Sequence, residues 1–455
     1  MLKNIETLIH KIGDQYLIYP LLGILIFCVV FTIRFKFIQV KSIKKLWHML
    51  VRGTQPSIID DELTDSATEV LAGVLVGESF ISPQSAVLMG MSTTIGLGTI
   101  AGPIIALGFG GPKAVLGMLI ASFFGAAVAF IEVLTCIENR AVYKSGEVVA
   151  GPMAYLEKHF NKYYAQTYSF FLFLLLTFWT ANQSNSLAIL FETTGAPKLL
   201  SGIFFAVLTV AVLLGGVQRV AKINGRIVPL MFVCYSICLL LILGQNYQTI
   251  PGALKSIFYF GNQDELFSCL LGFSIFGSLR WGISRSIQAN EIGIGTSTFA
   301  HSFSNTKNPL EQAMLGVIPI FTSMILTLLT AVAILAAHPW SRGSVNFDIS
   351  MFVNIMKNNF GIIGLSLLLF SGFLFGIGTI LGNCQNAKEC FRYMFKNKHL
   401  WIFYIVSFLF IVLGSFLDIK TIWTLVDLLA IPVAIPHMIA IFVISFNSKI
   451  FSRNK

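Results

Sequence analysis

Acidic side chains are scarce in this chain. Its 455 residues hold 21 Asp and Glu against 31 Lys and Arg, and charged residues of both signs make up only 11%. The apolar runs at residues 83–107, 167–190 and 362–384 contain no Asp, Glu, Lys or Arg. A chain so poor in charge cannot cover a soluble domain of this size. The runs also lack paired carboxylates and nucleophile–base spacings, which argues against an intramembrane enzyme. Cysteine numbers only seven. Cys28, Cys136, Cys234, Cys238 and Cys269 fall in apolar runs, and Cys384 and Cys390 flank a helix end. None has metal-ligand spacing supported by histidine, and buried cysteine behaves as a small hydrophobe. Low-complexity tracts are missing, as is a cleavable signal: residues 1–15 are amphipathic and lack a small-residue cleavage site.

What the chain has in abundance is apolar length. Hydrophobic residues reach 55%, with mean hydropathy +0.79. Eleven runs approach the roughly 20 residues needed to cross about 30 Å of hydrocarbon. They lie near 16–33, 83–107, 115–137, 167–190, 202–217, 227–243, 266–283, 315–337, 362–384, 400–416 and 421–446. The net charge of +10 is placed by topology rather than by nucleic acid. The loops 34–52, 138–162, 218–226, 280–312 and 388–398 and the tail 449–455 hold 23 of the 31 Lys and Arg. By the positive-inside rule these face the cytoplasm. The expectation is a multi-pass protein of the plasma (cell inner) membrane, with its N-terminus outside and its C-terminus cytoplasmic. Its surroundings are lipid, with no nucleic acid and no obligatory protein partner.

One integral domain spans 1–455. Set aside the first helix (16–33) and ten remain, divisible into repeats of five at 83–243 and 266–446. The first helix of each is interrupted by glycine: Gly90, Gly96, Gly98 and Gly102 in one, Gly272, Gly277 and Gly282 in the other. Paired broken helices in corresponding positions point to a secondary transporter with inverted repeats. The stretch 92–112 is the stronger signal, because Gly96, Gly98, Gly102, Pro103 and Gly108 are more than close packing requires. Each glycine costs about 1 kcal/mol in a helix interior and proline about 3. In a bilayer the backbone groups such a break frees must find protein, water or ligand.

The candidate binding residues follow. Amides near Gly96, Gly98 and Thr99, at a half-helix N-terminus, suit a carboxylate. The polar run Asn182–Ser186 offers Gln183 and Asn185 to a zwitterion, one of which is expected to pack instead. Phe273 and Phe276 could wall a pocket, although packing explains them as well. Thr379, in a glycine-rich helix, is a candidate cation ligand across from Thr94, and equally a threonine bonded to its own helix. The charge-free centres of the spans favour Na+ over a proton as coupling ion, and no other cofactor is expected. Glu132 is expected to face cytoplasmic water, and Asp427 to cap backbone in the proline-broken stretch 427–436. His338 and His437 read as interface residues. Arg280, Arg285 and Glu291, around Asn290–Gly295, read as an inner gate of opposed charges or as a solvated turn.

These residues resemble the alanine or glycine:cation symporter family, also called the sodium:alanine symporter family. The resemblance runs from about Phe31 to the last helix. It is carried by Thr94-Ile-Gly-Leu-Gly-Thr-Ile-Ala-Gly, Gly110-Gly-Pro112, Gly151-Pro-Met153, Gln183-Ser-Asn-Ser186, Gly225-Arg-Ile-Val-Pro-Leu-Met231, Asn290-Glu-Ile-Gly-Ile-Gly295, Thr379-Ile-Leu-Gly382 and Ala434-Ile-Pro436. It implies eleven helices, ten of them in a leucine-transporter-like fold. It also implies import of a small neutral amino acid, alanine or glycine, of either hand, on a Na+ gradient. Gly96 and Gly98 would then sit at the substrate carboxylate, Gln183 and Asn185 on the polar side, and Thr379 with carbonyls near Thr94 at Na+. Three positions depart from the family pattern: Gly96-Leu97-Gly98-Thr99 stands for Gly-Thr-Gly-Asn, Gly378-Thr379 for Ser-Thr, and Ala289 for serine. Rival expectations are a proton-coupled or exchanging carrier of the same fold and, from another class, a channel or a non-transporting sensor.

Overall fold

The computed structural model describes residues 18–44, 80–143, 147–259, 273–306, 308–338 and 349–447. Nearly all of these are helical. In chain order the helices are α1 (Ile18–Arg34), α2 (Pro83–Thr94), α3 (Leu97–Gly110), α4 (Lys113–Glu138), α5 (Met153–His159), α6 (Lys162–Glu192), α7 (Lys198–Leu213) and α8 (Gly216–Gln245). Then come α9 (Ile250–Phe258), α10 (Phe273–Ala289), α11 (Ser297–Ser302), α12 (Pro309–Leu315), α13 (Ile318–Ala337), α14 (Ile349–Phe395), α15 (Leu400–Gly414) and α16 (Ile419–Asn447). A helix lies at each of the eleven expected spans. Six spans qualify by length and apolarity alone, and the bent pair Tyr19–Arg34 and Ile38–Lys44 makes a seventh. The others include α7 and α15, only 16 and 15 residues long, hence about 22–24 Å at 1.5 Å per residue.

Two further spans are interrupted. The second expected span (83–107) divides at Ile95–Gly96, where Gly96 is extended (φ −106°, ψ −167°) and α3 starts afresh at Leu97. The seventh runs further than its apolar run suggests. Helix α10 continues to Ala289, the chain turns through Asn290–Thr296, and α11 follows. That turn uses positive φ at Glu291 (53°), Gly293 (75°) and Gly295 (83°). Glycine adopts such angles freely, whereas at a non-glycine residue they cost of order 1–2 kcal/mol. A short parallel bridge ties the two broken spans together: Ile81 N donates to Phe303 O (2.9 Å) and Asn305 N to Ile81 O (2.9 Å).

Close helix crossings hold the bundle. Helix α4 packs along α10, and α6 along α14 and α16. A Cβ on Gly282 of α10 would stand 1.9 Å from the Ala114 carbonyl oxygen, and one on Gly414 of α15 would stand 2.4 Å from that of Ala181. Membrane helices without a hydrophobic drive to associate use such small residues to bring backbones into contact. Helix α16 is continuous through Pro432 and Pro436. The expected break at 427–436 is therefore absent, and Asp427 is left with another role.

Candidate functional site

The α2–α3 break meets the turn after α10, and a narrow cavity opens where they face. Thr93, Thr94, Gly96 and Gly98 line it from the first break, and Gln288, Ala289 and Glu291 from the second. Helix α6 contributes Trp179, Asn182 and Gln183, helix α14 contributes Thr379 and Asn383, and Arg285 and Trp423 complete the wall. Helix α3 begins here with no side-chain cap on its N-terminus. Of its first-turn amides, Thr99 N donates to Gly96 O (2.9 Å), and the amides at such a helix start carry partial positive charge. A Cβ on Gly98 would meet nothing within 4 Å, whereas one on Gly96 would lie 2.3 Å from Thr379 Oγ1. The first glycine keeps space open, and the second lets α14 approach.

Thr379 Oγ1 lies 2.9 Å from the Ser92 carbonyl oxygen of α2 and 2.9 Å from the Phe375 carbonyl oxygen of its own helix. This threonine is bonded within its own helix and faces the broken one. Beside it, Asn224 of α8 donates to Ser92 Oγ at 2.8 Å.

The buried oxygens around the cavity lean toward acceptors. Among the described residues, Asn182 Oδ1, Gln183 Oε1, Asn383 Oδ1 and Glu291 Oε2 have no hydrogen-bond partner, with the Thr93 and Thr296 hydroxyls close to the Glu291 carboxylate. Carbonyl and carboxylate oxygens left without donors at a buried site call for a ligand that brings donors or positive charge. One end is closed by an ion pair. Arg285 Nη2 donates to Asp427 Oδ2 at 2.7 Å, and Asp427 also accepts from Ser284 (3.3 Å) and from Gln288. The Arg285 guanidinium lies 4.5 Å from the Trp423 ring centroid.

The sequence-predicted residues divide accordingly. Thr94, Gly96, Gly98, Gln183, Arg285, Glu291 and Thr379 line the cavity. Asn185 does not: its Nδ2 donates to the Gly414 and Leu417 carbonyls (2.9 and 2.7 Å), so it docks α15. Thr99 is buried inside α3, its hydroxyl 3.5 Å from the Thr94 carbonyl. The side chains of Phe273 and Phe276 lie outside the described residues. Among the described residues Arg285 and Glu291 do not pair with each other. Arg285 pairs with Asp427 on another helix, Arg280 stacks on Trp281 at 5.2 Å, and Glu291 sits past the end of α10.

Three further expectations are corrected. Glu132 does not face water: it is 2% exposed and accepts from Gly295 N (3.1 Å) and Ser297 Oγ (2.5 Å). His437 is fully buried rather than interfacial; its Nδ1 donates to Gly293 O (2.8 Å) and its Nε2 pairs with Tyr155. With Tyr168, which donates to Ile294 O, these side chains satisfy the backbone freed by the second break. Finally, the centre of the bundle is not free of charge, since Glu132 and Glu291 both reach it. Counting along apolar runs misplaced Glu291 because the turn at 290–296 lengthens that span, and misplaced Glu132 because the donors to its carboxylate come from that same turn and the start of α11.

Sequence reasoning missed Trp179, Asn182, Gln288, Asn383 and Trp423. Helical spacing carried the signal for most of them. Trp179, Asn182 and Gln183 stand at i, i+3 and i+4, Thr379 and Asn383 at i and i+4, and Arg285 and Gln288 at i and i+3. Asn185 falls off the α6 face and Thr99 is not on the cavity wall.

Known proteins resemble this chain in sequence and in fold. The model described as "Sodium:alanine symporter family" matches residues 2–452. The sodium/alanine symporter AgcS of Methanococcus maripaludis is 30% identical over 382 residues, 81% of this chain and 83% of that protein. The probable sodium/glutamine symporter GlnT of Bacillus subtilis is 27% identical over 433 residues, covering 93% and 84%. The crystal structure of MhsT in complex with L-phenylalanine superposes with TM-score 0.60 at 17% identity, over 81% of this chain and 90% of that one. A substrate-bound, outward-open Na+-coupled sialic acid symporter superposes with TM-score 0.52 at 12% identity, covering 92% and 82%. At such identities the superpositions speak for a shared fold, the leucine-transporter-like one.

Proposed function

The chain belongs to the sodium:alanine symporter family, a family of transporters rather than enzymes, and from that premise we propose that it imports a small neutral amino acid together with Na+ by alternating access. The observation that carries this reading is the cavity between the two helix breaks. It offers uncapped amides at Gly96 and Gly98 for a carboxylate, and unpartnered oxygens at Asn182, Gln183 and Asn383 for an ammonium group. Its lining leaves little room for a long side chain, which favours alanine or glycine, of either hand. Na+ is assigned to the gap between Thr379 and the Thr94 end of α2, where a hydroxyl and main-chain carbonyls converge. Hard cations of this kind take oxygen ligands.

The charge asymmetry of the loops favours an external N-terminus and a cytoplasmic C-terminus. Helices α10 and α16 then both start at the outer face, and Arg285–Asp427 acts as an outer gate over the cavity. At the opposite end, Arg392 of α14 pairs with Glu389 (3.0 Å) and with Glu147 of the loop before α5. Opening would alternate between these two closures. Uptake of radiolabelled alanine and glycine into proteoliposomes tests the reading, with an inward Na+ gradient compared with a matched proton gradient. Accumulation with Na+ alone supports it. Accumulation with protons alone replaces it with the proton-coupled carrier, and flux that never saturates with a channel.

A further inference from the structure

Behind Glu291 lies a second small cavity, lined in part by Glu132, Ser297 and His301. A third and much wider one, with a volume of about 550 Å3, opens beside the C-terminal part of α14. Glu147 of the loop before α5, Gly216 at the start of α8, and Gln385, Lys388, Glu389 and Arg392 of α14 line it. These residues lie in or next to loops 138–162, 218–226 and 388–398, which the positive-inside rule assigns to the cytoplasmic side. Small-molecule sites have volumes of about 300–1,000 Å3, so this cavity is large enough to hold a ligand as well as water.

Part of its wall is closed on itself. Arg392 donates to Glu389 (3.0 Å) and to Glu147, Gln385 Nε2 donates to Glu389 Oε1 (2.8 Å), and Asn397 Nδ2 donates to Glu147 Oε2 (2.9 Å). With Lys388 added, the two acidic and two basic side chains of the wall balance. A ligand of net charge would upset that balance.

The rest of the wall is open on both sides of the hydrogen-bond ledger. Lys388 is 8% exposed and has three N–H donors. Among the described residues its one hydrogen bond is to Leu213 O, at 3.4 Å. Helix α8, 30 residues long, begins beside it with no side-chain cap, so its first turn presents amides of partial positive charge. A Cβ on Gly216 would meet nothing within 4 Å, which leaves the main chain there facing open space. Against these donors stands one acceptor: Gln385 is 1% exposed, and its Oε1 has no partner. Its amide nitrogen is fixed on Glu389, so the free oxygen cannot be traded for it. An inorganic anion would meet Lys388 and the helix start but leave Gln385 Oε1 bare. A molecule with a carboxylate and an ammonium group meets all three and adds no net charge.

We infer that this cavity is a second amino-acid site, reached from the cytoplasm, with the carboxylate on Lys388 and the start of α8 and the ammonium group on Gln385 Oε1. The inference rests on the import reading above, which supplies the ligand. Its consequence is feedback. A ligand bridging α8 and α14 ties together the elements beside the Arg392–Glu147 pair, holding the inner closure shut as amino acid accumulates inside.

The test is equilibrium binding of [3H]alanine to the purified full-length protein in phospholipid-free detergent, in NaCl and in choline chloride. Wild type should bind two molecules in NaCl and one in choline, because the cytoplasmic site is built without a cation. Lys388→Gln should weaken the choline-phase site by about tenfold or more, the loss expected of a charged hydrogen bond. Lys388→Arg, which keeps the charge, should largely retain it, and Gly98→Val should lose the Na+-dependent site alone. Alanine in choline should raise the melting temperature of wild type and leave that of Lys388→Gln unmoved, whatever its starting value. In proteoliposomes, unlabelled alanine loaded inside should slow initial Na+-driven uptake relative to empty vesicles, and the ratio should return toward one in Lys388→Gln. Undiminished choline-phase binding by Lys388→Gln overturns the inference. So does displacement by glycerophosphoethanolamine at lower concentrations than by alanine, which marks a lipid-headgroup site. Binding by wild type in NaCl but none in choline overturns it while sparing the function proposed above. No binding in either salt removes both.

Discussion

Replacing Gly98 by alanine separates binding from folding at the centre of the cavity. Gly98 is the second residue of α3, and its added methyl would meet nothing within 4 Å. Alanine also suits a helix better than glycine by about 0.5–1 kcal/mol. The variant should therefore melt at the wild-type temperature or slightly above. The methyl does occupy space the substrate needs. Overpacking of a fitted site costs about 1–3 kcal/mol, and at about 1.4 kcal/mol per decade this means roughly 5- to 150-fold weaker binding. Gly98→Val carries two more methyl groups and should abolish uptake. The assay is substrate saturation in proteoliposomes with a melting curve on the same preparation. Gly96→Ala is the contrast, because its Cβ would press on Thr379 Oγ1 at 2.3 Å. It should weaken Na+ dependence and stability together. Unchanged saturation in Gly98→Ala and sustained uptake in Gly98→Val would refute the placement of substrate against α3.

Other outcomes follow from the same contacts. Asp427→Asn leaves the Arg285 guanidinium buried without its counter-charge, at a cost of about 3–5 kcal/mol; Arg285→Gln with Asp427→Asn should recover most of the melting temperature without recovering transport. Gly282→Ala forces a Cβ to 1.9 Å from the Ala114 carbonyl oxygen, so it should reduce folded protein on size-exclusion chromatography far more than Gly98→Ala does. Asn185→Leu removes two donors to the end of α15, at about 1–3 kcal/mol for buried acceptors left unmet; it should lower stability while leaving the apparent affinity for amino acid within about twofold. Gly378→Ser places a hydroxyl near Asn224 and Ser92, where a Cβ finds ordinary 3.4 Å or longer contacts, and Na+-titrated uptake should show a higher apparent Na+ affinity.

The parts legible in the sequence were those encoded by one stretch of chain. Apolar length marked the spans, because a helix in lipid must satisfy its own backbone and be long enough to cross. The first helix break was legible for the same local reason, since Gly96 and Gly98 weaken a helix wherever it is placed. The motif series then placed the chain in its family. The second break was harder to see. Its glycines, Gly293 and Gly295, lie beyond the apolar run, and the turn survives in the bundle only because Glu132, Tyr168 and His437 from three other helices satisfy its amides and carbonyls.

Contacts between helices were decided by tertiary structure alone. Neighbouring residues on α6 parted company, Gln183 toward the cavity and Asn185 toward α15, because a residue's direction depends on how its helix is rotated in the bundle. Arg285 and Asp427 are 142 residues apart in the chain, and no spacing rule reaches that far. Glu291 read as part of an inner gate or a solvated turn until the fold set it between two cavities. The sequence by itself determined that this is a membrane transporter with a broken helix at its centre, since length, hydropathy and glycine act locally. Which side chains surround that break, and which charges meet or remain alone, depended on packing among helices that are distant in the chain.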